Sequence, residues 1–327
     1  MESLCIKVKK KDGEKTRRKL IELGAINTAL KIRSEDGFLL IPMTRKIHGF
    51  AIETADFEVL EKDKSIIELL GFSPAYEQIG DIALIDKNES EPQLIAEALL
   101  RQNKIKTVLQ AETSVSGEYR TRGVTIIAGE PRTETVYKEN GCRYKLDIAE
   151  VYFTPRLSTE RMRIAEQVKD GDFVVDMFAG VGPFSILIAK MNPDASVVAI
   201  DKNPVAIRYL KENVILNKVK NIEVKEGDAL EEVKGLSGAD HIIMNLPHSN
   251  LEFLDAAFSI IENGGVIHFY AITHEDDLFD GILEKIRDIA KKHDLYIQPI
   301  NKRVVRPYAP FQSNICIDFK VTPAEHI

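Results

Sequence analysis

Cysteine, long apolar runs and an excess of positive charge are all missing or scarce in this chain of 327 residues. Its three cysteines, Cys5, Cys142 and Cys316, stand far apart, with no C-x-x-C pair and no histidine at ligand spacing. That excludes a disulfide framework and leaves no signal for a zinc site or any other metal, and a reducing cytoplasm fits best. No stretch approaches the roughly 18 consecutive apolar residues of a spanning helix, so no membrane association is expected. The N-terminus, MESLCIKVKKKDGEKTRRKL, lacks an apolar run ending in a small-residue cleavage site, so export is not expected either. The net charge of −7 argues against indiscriminate binding to nucleic acid, because affinity for phosphates rises with the number of Lys and Arg that displace counterions. There is no internal repeat and no low-complexity segment.

What is present is ample apolar material, 44% of the residues, enough for two or three domains that each bury a core. Basic residues are concentrated locally. Lys7, Lys9, Lys10, Lys11, Lys15, Arg17, Arg18 and Lys19 face only Glu2, Asp12 and Glu14 within residues 1–20. This pattern suits a solvated helix face and a phosphate-contacting surface equally well. The apolar alternation LCIKV, a helical stretch from Lys15 to Leu23 and a strand at Phe38 to Ile41 predict a small α/β unit over residues 1–62. The charged EKDKS at 61–65 and Gly71 to Pro74 read as a linker, placed at 63–75. Residues 76–150 hold short strand-like runs (82–85, 107–110, 124–129, 135–137) and one helix near 92–100, which predicts a β-rich middle domain.

From about Val168 the pattern becomes regular. Apolar runs at 173–177, 196–201, 222–228, 241–245 and 265–272 alternate with helical segments near 183–191, 204–216, 250–262 and 277–292. Such repetition predicts a parallel, doubly wound sheet with helices on both faces, here in a domain spanning 151–327. The runs 302–305 and 314–321, separated by a short loop, predict an antiparallel hairpin that closes the sheet.

Open parallel sheets bind ligands beyond the carboxyl ends of their strands, near the first. That directs attention to DMFAGVGPFS at 176–185, where Gly180 and Gly182 permit positive φ and close backbone approach. A nicotinamide dehydrogenase is the rival reading, with Asp201 as its ribose acid. However, Ser185 occupies the place of the third glycine, and Asp176 has no welcome role beside a pyrophosphate. An acid before a G-x-G loop resembles instead the class I methyltransferases, which are Rossmann-like. The resemblance implies S-adenosylmethionine as cofactor, its methionine end held by Asp176 and the loop Ala179 to Gly182. Asp201 would accept from the ribose hydroxyls, and Asp228 from the adenine amino group, with Lys202 and Ala229 adjacent through main chain. Each carboxylate taken singly also suits a helix N-cap.

Further motifs follow: GEYRTR at 117–122, VYFTPRL at 151–157 with Glu160-Arg161, Asn245-Leu246-Pro247, and RPYAP at 306–310. Jointly they resemble the archaeal and eukaryotic tRNA (guanine-N1)-methyltransferase family over the whole chain. The resemblance implies methyl transfer to N1 of guanosine 37 of tRNA by a monomeric, cytoplasmic enzyme. Glu160 would be the general base, Arg120 would donate to O6 and Asn245 would orient the base edge. Tyr152, Arg122 and Pro247 would line the substrate pocket, and Arg161 would lie between cofactor and substrate. Arg120 and Arg122 are read as alternate residues of one strand, facing one side. The chain departs from the family at Gly123, Pro131 and His248, positions that bear on substrate choice more than on reaction type. A wyosine-pathway relative, methylating a tricyclic guanine derivative or transferring an aminocarboxypropyl group, is the alternative; a non-enzymatic RNA-binding protein stands behind both.

Overall fold

A computed structural model describes residues 1–60, 65–102, 104–113, 115 and 117–324. The chain forms two compact units, Met1–Phe72 and Ser73–Ile327. The first comprises β1 (Glu2–Lys9), α1 (Gly13–Glu22), β2 (Arg33–Glu35), β3 (Phe38–Met43), β4 (Ile52–Asp56) and α2 (Ile66–Leu70). Its antiparallel sheet has the order β2-β3-β1-β4. Alternation along β1 sends Cys5 into a cluster with Leu30, Leu40 and Phe57 on one face, and Ile6 into another with Leu20, Ile41 and Met43 on the other. All eight basic residues of the N-terminal segment are exposed.

Part of the expected linker, residues 61–64, lies outside the described residues. The remainder needs correction, because Ser65 opens a capped helix. Its hydroxyl accepts from the Glu68 N–H while the Glu68 carboxylate accepts from the Ser65 N–H, and Gly71 at φ 78 closes α2.

The second unit begins with β5 (Tyr76–Ile79), β6 (Ile82–Ile85), α3 (Pro92–Leu100), β7 (Thr107–Ala111) and β8 (Val124–Gly129), whose strands form one sheet in that order. A hairpin of β9 (Glu134–Glu139) and β10 (Cys142–Asp147) follows, then α4 (Ser158–Ala165). The doubly wound core contains β11 (Phe173–Asp176), α5 (Pro183–Met191), β12 (Ser196–Asp201), α6 (Pro204–Asn217), β13 (Ile222–Glu226), α7 (Ala229–Glu232) and β14 (Ala239–Met244). It ends with α8 (Leu254–Ile260), β15 (Ile261–His274), α9 (Asp280–Lys291), β16 (Leu295–Ala309) and β17 (Gln312–Pro323). The sheet order is β13-β12-β11-β14-β15-β17-β16, parallel except where β17 joins its two neighbours. Successive core residues point to opposite faces. Val174, Val197 and Ala199 pack under α5 and α6, whereas Val175, Val198 and Ile200 pack under α8 and α9.

The boundary expected at residue 150 is not a break in packing. Cys142, Tyr144 and Leu146 of β10 share the core beneath α5 and α6. Moreover, α6 satisfies the backbone edge of β10. Asn213 Oδ1 accepts from Lys145 N at 2.7 Å, and its Nδ2 donates to Lys145 O at 3.0 Å. Asn217, one turn on, pairs with Arg143 N at 2.8 Å and Arg143 O at 2.6 Å. Two asparagines four apart on one helix face thus stand in for a neighbouring strand.

Candidate active site

The carboxyl ends of β11, β12, β13 and β14 meet at one edge of the sheet; Asp176 and Asp201 end the first two strands, and Asp228 and Asn245 lie just past the ends of the other two. Beyond them lies an open cleft. Of the residues singled out from sequence, Arg120, Tyr152, Arg161, Ala179, Gly180, Asp201, Lys202, Asp228, Ala229 and Asn245 line it, whereas Glu160, Arg122, Pro247, Asp176 and Gly182 do not.

The glycine loop explains itself residue by residue. Gly180 adopts φ 55 and lends its N–H to Asp201 Oδ2 at 2.7 Å. A Cβ there would meet only Tyr152 O, at 3.9 Å, so the missing side chain leaves the cleft floor open to a ligand. Gly182, at φ 87, caps α5, and a Cβ would run into Leu210. Its role is close packing rather than ligand contact. Asp176, expected at the ligand, lies beneath the loop. It is 1% exposed, and Oδ2 accepts from Ser185 Oγ at 2.6 Å. Burial pushes its pKa up to about 7, against the lowering effect of Ser185 and of the Phe178 N–H.

Asp201 Oδ1 accepts from Asn203 N at 2.8 Å, and burial raises its pKa above the ordinary carboxylate range. Asp228 combines two roles: Oδ1 caps α7 through Leu230 N at 3.0 Å, while Oδ2 lies 3.3 Å from Lys202 Nζ. Lys202 also pairs with Glu118 at 2.6 Å, tying the turn before β8 to the ends of β12 and β13. Sequence reading missed Glu118, and it missed the apolar walls Phe153, Phe178, Phe184 and Phe253. Phe178 and Phe253 meet edge-on at 4.9 Å. Glu118 lies inside a motif already noted. Phe253 follows β14 by nine positions and enters the cleft through the fold alone.

Arg120 is not on a strand. It sits in a turn at φ 55, its N–H donating to Gly117 O at 3.2 Å, and regular pairing of β8 starts only at Val124. The expected alternation with Arg122 therefore fails, although both arginines line a smaller hollow with Tyr152 and Phe153. Arg161 lines the cleft but turns its guanidinium to Glu139, at 2.5 and 2.9 Å, and to Thr154 O at 3.0 Å. That pairing makes it a strut between α4 and the β9–β10 hairpin, where a cofactor ligand was expected. The Asn245 loop is held by Asn250, whose Nδ2 donates to Met244 O and, at 2.7 Å, to Tyr270 O. His248 packs edge-on against Tyr308 at 5.3 Å; burial and the nearby Arg120 charge lower its pKa.

Glu160 stands behind this cleft, 3% exposed. It contacts Arg163 at 3.0 Å and Arg303 at 3.0 Å, and it accepts from Tyr270 Oη at 3.1 Å. The Arg303 Nε approach is out of line for a hydrogen bond, and among the described residues that nitrogen has no hydrogen-bond partner.

Residues 135–298 match the family described as the TRM5/TYW2 methyltransferase domain. The chain belongs to that family. Residues 5–51 match the tRNA methyltransferase 5 N-terminal domain, and 58–133 a TYW2 N-terminal domain. The tRNA (guanine(37)-N(1))-methyltransferase Trm5b of Pyrococcus abyssi is 46% identical over 98% of this chain and 99% of its own length. A crystal structure of that protein superposes with a TM-score of 0.72, at 45% identity over 98% of this chain and 99% of that one. A complex of aTrm5 with tRNALeu superposes at 0.70, with 36% identity over 97% and 99%. Like the family, this enzyme is a methyltransferase that uses S-adenosylmethionine. The cleft fits that group: an open glycine floor, carboxylate acceptors at the ends of β12 and β13, and apolar walls for an adenine ring and a thioether.

Proposed function

We propose that this enzyme methylates N1 of guanosine 37 in tRNA. The observation that carries the reading is that Asp201, Asp228 and Gly180 share one cleft with Arg120, Tyr152 and Asn245. One edge thus suits the nucleoside cofactor, and the opposite edge suits a purine. Relatives acting on guanosine 37 over nearly their full length support it. So does the match of the N-terminal unit, whose exposed lysines and arginines suit tRNA backbone contact.

N1 of guanine carries a proton that must leave as the methyl group arrives. S-adenosylmethionine supplies an electrophilic sulfonium methyl group. Asp201 would anchor the ribose hydroxyls and Asp228, with the Ala229 main chain, the adenine. Gly180 would let the ligand lie against the loop. Opposite, Tyr152 would bound a base extruded from the anticodon loop. Arg120 would donate to O6 as charge gathers there, and Asn245, with one acceptor and two donors, would fix the base edge. Glu160 would take the N1 proton, and for this one of its present partners must yield. Arg303, 37% exposed and out of line, is held most loosely.

The test is methyl incorporation into transcripts with guanosine or adenosine at position 37, with mass mapping of the product nucleoside. Incorporation that persists with adenosine overturns the assignment. An aminocarboxypropyltransferase of Methanocaldococcus jannaschii is 35% identical over 75% of this chain. A product heavier by an aminocarboxypropyl group rather than a methyl group would move this enzyme to that reaction.

A further inference from the structure

Behind Glu160 a row of buried polar groups crosses the sheet, and the reaction described above does not use it. Arg163 of α4 divides its guanidinium between two carboxylates. Nε and Nη2 face Glu160, at 3.1 Å and 3.0 Å from Oε2. Nη1 donates to Asp318 Oδ2, and Nη2 also lies 3.2 Å from Asp318 Oδ1. Asp318, on β17, is 1% exposed and is gripped from two further sides. His268 Nδ1 of β15 lies 2.8 Å from Oδ1, and Asn301 Nδ2 of β16 donates to Oδ2 at 3.1 Å. His268 in turn meets His241 of β14 at 3.1 Å, the two rings parallel at 5.3 Å, and His241 Nε2 points toward Asp172 at 3.3 Å.

Buried charge networks of this kind contribute little net stability compared with apolar packing, so stability alone does not account for this one. The geometry supplies a reason. Without Asp318, the full charge of Arg163 would fall on Glu160, which Arg303 already faces, and the Arg163 fork would lose the contact that sets its plane. We propose that Asp318, held by His268, is a positioning residue for proton removal. By taking one edge of Arg163 it fixes the other edge against Glu160 and leaves that carboxylate basic enough to accept the proton. The proposal rests on Glu160 being the base.

The groups facing the pair are Arg163 from α4, Tyr270 and His268 from β15, Arg303 and Asn301 from β16, and Cys316 from β17, with His241 of β14 and Asp172 behind. Burial raises Tyr270 and Cys316 and keeps both neutral; the His268 and Arg163 contacts keep Asp318 ionised. His241, lowered to about 4 by burial and by His268, is neutral at working pH.

The experiment is single-turnover methyl transfer to guanosine-37 tRNA across pH, at saturating full-length enzyme and cofactor, for the wild type, Asp318→Asn, His268→Phe and Glu160→Gln. In Asp318→Asn the acid limb of the rate profile is expected to move down by about one pH unit, with a plateau about tenfold lower. Affinities for tRNA and cofactor should change by less than about threefold. His268→Phe should move the limb upward, because Asp318, deprived of its donor, then draws harder on Arg163. Opposite shifts are not produced by loosened packing, and the upward shift carries the test should Asp318→Asn fail to fold. An acid limb that stays in place in the folded variants, or tRNA affinity that falls in step with the rate, overturns the proposal. Wild-type rates in Glu160→Gln would show that the base assignment itself had failed, and the proposal would fall with it.

Discussion

Replacing Asp201 with Asn removes one charge from the cleft without changing the shape of the side chain, and the structure sets the size of the effect. Both carboxylate oxygens already accept a backbone N–H, from Gly180 at 2.7 Å and from Asn203 at 2.8 Å, and each keeps a lone pair for a ligand hydroxyl. An amide has one acceptor oxygen. Whichever way Asn is turned, its NH2 group confronts one of those two N–H donors. A hydrogen bond to a charged group is worth about 1.5–3 kcal/mol, and the ribose contact loses that charge assistance. Part of the loop strain is common to the free and bound states and cancels, so a loss of about 2 kcal/mol in cofactor binding is expected, close to 30-fold in Kd. Calorimetric titration with S-adenosylmethionine and with its demethylated product measures it directly. At saturating cofactor, single-turnover methyl transfer should stay within about threefold of wild type. A Kd unchanged within a factor of about two would refute the assignment of Asp201 to the ribose.

Further expectations follow from particular contacts. Asn250→Ala removes the side-chain donor shared by the Met244 and Tyr270 carbonyls. It should lower stability by about 1–3 kcal/mol in urea titration and slow methyl transfer by freeing the Asn245 loop; an unchanged rate would mean that the loop is held otherwise. Arg161→Met strands a buried Glu139 and should cost about 3–5 kcal/mol of stability, whereas a cofactor Kd that rises far more than stability falls would restore the role first expected of Arg161. Asp176 has a folded pKa near 7, raised from 3.8, so the native state holds a proton that the unfolded chain releases. Its contribution is fully present at low pH and is lost as pH rises through about 7, so Asp176→Asn should gain stability relative to wild type between about pH 4 and 7. A difference in urea midpoint that is flat over that range would contradict the burial argument. Removing Met1–Phe72, a compact unit in itself, should weaken tRNA binding and spare cofactor affinity; a loss of cofactor affinity would undo that division of labour.

Local pattern carried much of this protein. Alternation of apolar runs with helical periods locates every strand and every helix but the short α7 after Phe173, though it stops β16 far short of its Leu295–Ala309 span and carries the helix near 250–262 into β15. A strand buried on both faces and an amphipathic helix leave different periods in the chain but not sharp ends. The acids at the strand ends and the glycine turn were legible for the same reason, since their chemistry depends on position within a local unit. The helix opened by Ser65 carried its own signal in the spacing to Glu68 and Gly71, but the surrounding charges outweighed it.

What sequence could not decide was where side chains go once the layers meet. Asp176 and Gly182 lie in the loop read as ligand-binding, yet packing against Ser185 and Leu210 buries both beneath it. Arg161 and Glu160 are chain neighbours on α4, but one is taken by Glu139 of the β9–β10 hairpin and the other by Arg163 and Arg303. The partners of Asp318 come from α4, β15 and β16, as much as 155 residues away. Periodicity reports the solvent exposure of an element, which each residue carries in its own polarity. Pairing of buried charges depends on which elements become neighbours in space, and only the folded sheet determines that.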